Sequence, residues 1–232
     1  MPCRVYLLAH TPDPDSLVAA AARICYSAAA VSDLLERESD HLSASLLRKL
    51  RRSGHHSPFE HASFTFGVDG LSRVASHQLV RHRLASYSQQ SQRYVEINEA
   101  QVVVPPSIAS NSEALALFQR WAAAAFEVYT SLLALGVEAE DARFILPHGW
   151  ETRLVLTMNA RELHHFFELR LCRRAQWEIR ELARLMLIEC RKVAPVTFEI
   201  AGPPCVGEGR CHESRSCGKP YGNMEDLIRN DE

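Results

Sequence analysis

Arg81-His82-Arg83 places two guanidiniums and an imidazole in three consecutive residues, and Ser91 and Arg93 follow shortly after. Guanidinium forks match phosphate oxygens and hold them bidentately, so Arg at positions 81, 83 and 93 favours oriented binding over loose attraction. Between the two basic clusters, Ser86, Ser88, Gln89, Gln90, Ser91 and Gln92 form an uncharged polar stretch, with Tyr87 and Tyr94 as the nearby rings. Side chains that both donate and accept are what reading the edge of a base or sugar requires. The segment reads as a recognition loop beside a local positive site, suited to a ligand that carries phosphate. A solvated basic surface run is the alternative.

These residues need elements to position them. Asp13-Pro14-Asp15-Ser16 starts a helix that continues from Leu17 to Cys25, and a second helix is expected over 38–53, with Leu42, Leu46, Leu47 and Leu50 on one face and Gly54 as its stop. Residues 54–61 are then a loop. Phe64, Phe66 and Val68 alternate with Thr65 and Gly67 as a strand ended by Asp69-Gly70. Ser72 caps a helix through Val74, Ala75, Leu79 and Val80, which puts Gln78 and Arg81 on one face near its end.

Val102-Val103-Val104 reads as a short strand stopped by Pro105-Pro106. Asn111 or Ser112 opens a core helix with Leu115, Phe118, Ala122, Phe126, Tyr129 and Leu133 at helical spacing up to Gly136. A short helix over 141–146 meets Pro147, a strand covers 152–158, and one long helix is expected from Arg161 to about Lys192. Past Pro195 the periodicity is lost. The elements make an α+β fold, helices packed on a small, mainly antiparallel sheet, as a single domain over 1–200 with an irregular C-terminal tail over 201–232.

Composition excludes several classes. The 232 residues are 47% hydrophobic and 23% charged, ordinary for a globular chain and sufficient for a sizeable core. A net charge of -2 does not suit a protein that coats nucleic acid. No run reaches the ~20 apolar residues that cross a bilayer, and the apolar stretch near the start is too short for a signal peptide. A cytoplasmic location without a membrane partner is expected, in keeping with seven cysteines, an odd number and mostly scattered. Cys205, Cys211, His212 and Cys217 raise the question of zinc. No metal is expected, because they lack the close Cys-x2–4-Cys pair typical of structural sites.

The run Arg81-His82-Arg83, seven residues, then Ser91 resembles the signature of the flavin-dependent thymidylate synthases. Three further blocks resemble the same family in the same order: Ala21-Ala22-Arg23-Ile24-Cys25-Tyr26-Ser27, Gly54-His55-His56-Ser57-Pro58-Phe59-Glu60-His61, and the stretch Asn159 to Arg170 followed by Ala175-Gln176-Trp177-Glu178-Ile179-Arg180. The resemblance implies that FAD is held by His55, Ser57, Arg81, His82, Arg83, Gln89, Asn159, Arg161 and His165. It implies that dUMP is held by Gln78, Leu79, Val80, Arg81, Gln89, Gln90, Ser91, Gln92, Arg93, Arg143 and Arg170, with Arg170 also catalytic. The implied reaction is reductive methylation of dUMP to dTMP, with 5,10-methylenetetrahydrofolate giving the carbon and NADPH the electrons, in a homotetramer whose sites lie between subunits.

Departures from the family pattern are few. His165 stands where some relatives have Asn, Arg174 where His occurs, and Gln89 where some have Glu, which removes one negative charge. Ser91 is read as a binding group, since no His beside it in sequence is placed to take its proton. Arg161 and His165 share a helix face, whereas Arg170 falls about half a turn round at ~100° per residue. One helix therefore serves two sites in an oligomer or bends between them. Two rivals stand beside this reading: another flavoenzyme acting on a nucleotide, and a nucleic-acid module stacking bases on Tyr87 and Tyr94.

Overall fold

The computed structural model describes residues 3–36 and 40–229. In chain order the elements are β1 (Arg4–His10), α1 (Pro14–Ile24), α2 (Val31–Glu36), α3 (Asp40–Arg52), a 3-10 turn (Ser57–His61), β2 (Ser63–Ser72), α4 (Arg73–Leu79) and β3 (Ala85–Gln89). There follow α5 (Pro106–Ala109), α6 (Ser112–Ala134), α7 (Ala139–Ala142), a 3-10 turn (Arg143–Ile145), β4 (Glu151–Asn159), α8 (Ala160–Arg170), α9 (Trp177–Val193), α10 (Pro204–Gly207) and α11 (Met224–Arg229). The strands form one antiparallel sheet in the order β1-β2-β4-β3, and the α+β class expected from the sequence holds.

By compactness the chain divides into two interlaced units. One holds the residues up to Arg4, Val68–Arg81 and Ser88–Val155; the other holds Val5–Gly67, His82–Tyr87 and the chain from Leu156 onward.

In the first unit Tyr129 and Trp150 anchor a core with Ala142 and Leu146, and the Tyr129 hydroxyl accepts from the Ile97 N–H at 3.2 Å. Burying such rings contributes about 1.5–3 kcal/mol each. The Ser72 hydroxyl accepts from the Ala75 N–H and caps α4; Asn111 caps α6 in the same way, accepting from Glu113 and Ala114. α6 is not a core helix all round. Ala122, Ala125 and Tyr129 are buried, while Leu117, Trp121 and Val128 face solvent at 61%, 51% and 46% exposure.

In the second unit Phe64, Phe166, Phe167 and Phe198 are fully buried, with Phe64 and Phe167 both edge-on to Phe198. α3 ends where Gly54 takes φ 75: its N–H bonds Arg51 O while the His55 N–H bonds Leu50 O. That paired closure needs a left-handed residue, which glycine adopts without steric cost. The start expected at Glu38 lies outside the described residues.

Several expectations are corrected. β2 does not stop at Asp69-Gly70; it runs to Ser72, with Gly70 at φ 72, a left-handed value that glycine adopts without steric cost. Residues 57–61 wind into a 3-10 turn that buries Phe59 instead of forming a loop. Val102 makes a single bridge to Trp150 and no strand, since the two prolines that follow cannot donate to a ladder. The long helix is two, α8 and α9, and the break comes after Arg170, so α8 is continuous across Arg161, His165 and Arg170. The last segment is largely irregular but docked: Leu227 is 2% exposed, the Arg173 guanidinium lies 4.3 Å from the Tyr221 ring centre, and Arg184 Nη1 donates to Ile228 O at 2.8 Å.

Candidate active site

The Arg-His-Arg triplet does not act as one positive patch. Arg81 and Arg83 are exposed, whereas His82 is 4% exposed and faces inward. Its Nδ1 meets Oε1 of Glu162 at 3.2 Å, and its Nε2 receives the Nε–H of Arg170 at 3.0 Å. The Phe166 ring stands edge-on at 4.9 Å, and the Tyr87 hydroxyl donates to the His82 carbonyl at 2.8 Å. Burial, with Arg170 and His165 adding to it, lowers the His82 pKa to about 4. The imidazole is therefore neutral near pH 7, and the Glu162 contact is a neutral N–H donating to a carboxylate. Burial raises the Glu162 pKa, and burial together with the Glu162 charge raises that of Tyr87.

On the same unit, the exposed residues of α8 and the 3-10 turn after α3 come together. Arg161 pairs with Glu60, and His56 is held below its usual pKa by burial and by the charges of Arg51 and Arg161. His55, Ser57, Arg161 and His165 are all exposed, and the His165 ring lies 5.7 Å from that of His82. Asn159 Oδ1 accepts from the Glu162 N–H at 2.9 Å, capping α8.

Two residues the sequence reading passed over stand beside this face. Arg51 donates to the His164 ring at 2.6 Å, and burial lowers its pKa to about 10. His164 is held well below its usual value by burial and by Arg51, so the contact is guanidinium to neutral imidazole.

Residues 85–89 are not a recognition loop but the edge strand β3, so side chains alternate. Gln89 turns in, its Nε2 donating to Ser76 Oγ and Thr152 Oγ1 at 3.1 Å each, while Ser86 and Ser88 are exposed. Leu79 is fully buried, so only its backbone can meet a ligand; Gln78 is half-buried and Val80 is 40% exposed.

Beyond β3, Gln90, Ser91 and Gln92 line a cavity of about 330 Å³ with Trp150, Thr152, Arg153, Glu96, Glu99 and Glu151. Its amides and hydroxyls suit an uncharged base or sugar; with three carboxylates against one guanidinium, it does not suit phosphate. The guanidiniums lie elsewhere: Arg93 pairs with Glu140 at 2.6 Å, and Arg143 Nε donates to Glu140 O at 3.0 Å. Ser91 Oγ accepts from the Arg93 N–H at 3.2 Å.

A cavity of about 400 Å³ in the second unit is lined by Cys172, Cys205, Cys211, Cys217, His212 and Glu213, among others. Burial chiefly, with Cys217, Glu213 and Cys205 nearby, raises the Cys172 pKa. Among the described residues no three His, Cys, Asp or Glu side chains are grouped so as to hold a metal ion.

Residues 6–196 match the family model described as thymidylate synthase complementing protein. The flavin-dependent thymidylate synthase of Geobacter sulfurreducens is 51% identical, covering 93% of this chain and 94% of its own. That of Clostridium tetani is 44% identical, with 94% of each chain covered. Among solved structures, a UMP/dUMP methylase, PolB from Streptomyces cacaoi, bound with 5-Br dUMP, superposes with a TM-score of 0.77 at 32% identity, covering 85% of this chain and 93% of that one. Fold and relatives together define a methyltransferase enzyme. The chain belongs to the flavin-dependent thymidylate synthase family.

Proposed function

We propose that this enzyme converts dUMP to dTMP by FAD-dependent reductive methylation, with 5,10-methylenetetrahydrofolate as carbon donor and NADPH as reductant. The observation that carries it is Arg170, whose guanidinium is anchored at Nε by a buried neutral imidazole. When a pyrimidine imide ionises, its ring carbon becomes able to attack the folate's methylene carbon. A cation preorganised against that negative charge is worth about 3 kcal/mol.

The exposed donors fit a flavin dinucleotide. Arg83, Arg161, His165, His55 and Ser57 offer guanidinium, imidazole and hydroxyl groups suited to a pyrophosphate and ring carbonyls, and Arg161 exchanges Glu60 for it at little cost because that pair is exposed. When bound, the flavin supplies the hydride that completes the methyl group. In the other unit, Gln78, the Leu79–Val80 backbone, Arg81, Gln89, Gln90, Ser91, Gln92, Arg93 and Arg143 are proposed to hold the nucleotide. A homotetramer is proposed with them, and the exposed stripe Leu117, Trp121 and Val128 of α6 supports it. Among the described residues no helix is long and apolar enough to cross a membrane; the cytoplasm is proposed from the cysteine pattern.

The test is anaerobic formation of dTMP from dUMP, the folate and NADPH, with and without FAD. Product that requires all four supports the proposal, and no product from a folded protein that binds FAD and dUMP defeats it. UMP belongs in the same assay, because the methylase neighbour is also known bound with 5-Br UMP, at a TM-score of 0.70.

A further inference from the structure

Glu162 is buried at 6% exposure, behind His82 as seen from Arg170, and has no part in the functions proposed above. The proton on the His82 ring can be located from its neighbours. An arginine Nε always carries hydrogen and never accepts. Arg170 Nε lies 3.0 Å from His82 Nε2, so that ring nitrogen presents its lone pair. The proton of the neutral ring is then on Nδ1, 3.2 Å from Glu162 Oε1, which accepts it. Glu162 is itself fixed: its N–H is held by Asn159 at the first turn of α8, and the Phe166 ring closes one side of the imidazole.

We infer that Glu162 is a positioning residue, which acts through the Nδ1–H tautomer of His82 to aim the Arg170 guanidinium. Without the carboxylate, nothing holds the proton on Nδ1. The ring is free to carry it on Nε2, where an N–H would face the Arg170 N–H, and two donors cannot share one contact. The guanidinium then loses the contact that aims its Nε, while its charge remains. The geometry also accounts for a histidine buried between two arginines that face solvent: its ring serves as a bracket for Arg170.

This inference rests on the proposed role of Arg170, and the experiment separates the two. Turnover and dUMP affinity are measured for Glu162→Leu, Glu162→Gln, Arg170→Ala and the Glu162→Leu/Arg170→Ala double variant. Partners that fix an imidazole tautomer elsewhere cost about 10–100-fold when removed, so Glu162→Leu is expected to lower kcat by that order and to weaken dUMP binding no more than Arg170→Ala does. Glu162→Gln, whose amide oxygen still accepts from Nδ1–H, should recover most of the loss. In the Arg170→Ala background, Glu162→Leu should cost nothing further. Losses that multiply, or full kcat in a folded Glu162→Leu enzyme, overturn the inference. Full turnover in Arg170→Ala alone would instead sink the role of Arg170. Should Glu162→Leu fail to fold, nitrogen NMR of His82 in the native enzyme decides: a protonated Nδ1 with a bare Nε2 supports the bracket, and a protonated Nε2 overturns it.

Discussion

At the scale of single residues, this chain uses burial to decide which groups carry charge. His82 and His164 are both neutral in the folded state because burial and adjacent arginines oppose protonation. For His82 the folded pKa of about 4 lies below the unfolded ~6.5. Between those values the unfolded chain binds the extra proton, so stability is fully present above about pH 6.5 and falls as pH drops toward 4. Urea midpoints measured from pH 7.5 to 4.5 should decrease steadily, and less so in His82→Gln; a flat profile would contradict the burial of both rings.

Gln89 is likewise matched to its surroundings. Ser76 already donates its hydroxyl proton to Arg73 O, so it has only a lone pair for residue 89, and the Gln89 amide donates to it. A carboxylate there would face that lone pair. Gln89→Glu is expected to cost about 1 kcal/mol in chemical denaturation.

Elements were legible in the sequence where their signals are local. Ser72, Asn111 and Gly54 announce helix ends within a few residues, and the structure places α4, α6 and the close of α3 accordingly. The break between α8 and α9 carries no Gly or Pro. It is made by Arg180, which donates to the carbonyls of Arg173 and Ala175, and by Gln176, an uncommon cap, accepting from Ile179. β3 was hidden for the opposite reason: a Ser/Gln-rich run has no apolar alternation, and pairing at the sheet edge alone makes it a strand.

In the candidate site, Arg170 is proposed from the motif, but the contacts around it could not be read there, because Glu162 and His82 are 80 residues apart. Asn159 poses a question at this scale, since the residue expected to touch flavin also caps α8. Asn159→Ala should destabilise by about 1 kcal/mol and Asn159→Ser by less. If flavin affinity follows the cap, with Ser restoring it, Asn159 acts through the helix; if both variants lose flavin equally, it touches the cofactor.

For the whole molecule, the exposed apolar stripe of α6 is the feature a monomer least accounts for. Leu117, Trp121 and Val128 recur at spacings of four and seven, a seam within a narrow arc of the helix. Sedimentation velocity should show a species of four chains, and Trp121→Asp should shift it toward smaller ones; a native monomer with full turnover would refute the tetramer.

The interlacing of the two compact units has a consequence for synthesis and evolution. The boundary between them is crossed after Arg4, Gly67, Arg81, Tyr87 and Val155. No single cut in the gene yields either unit alone, and a ribosome that has finished the first unit still holds the second incomplete. Truncation at any single point is therefore expected to leave at least one of the two units incomplete.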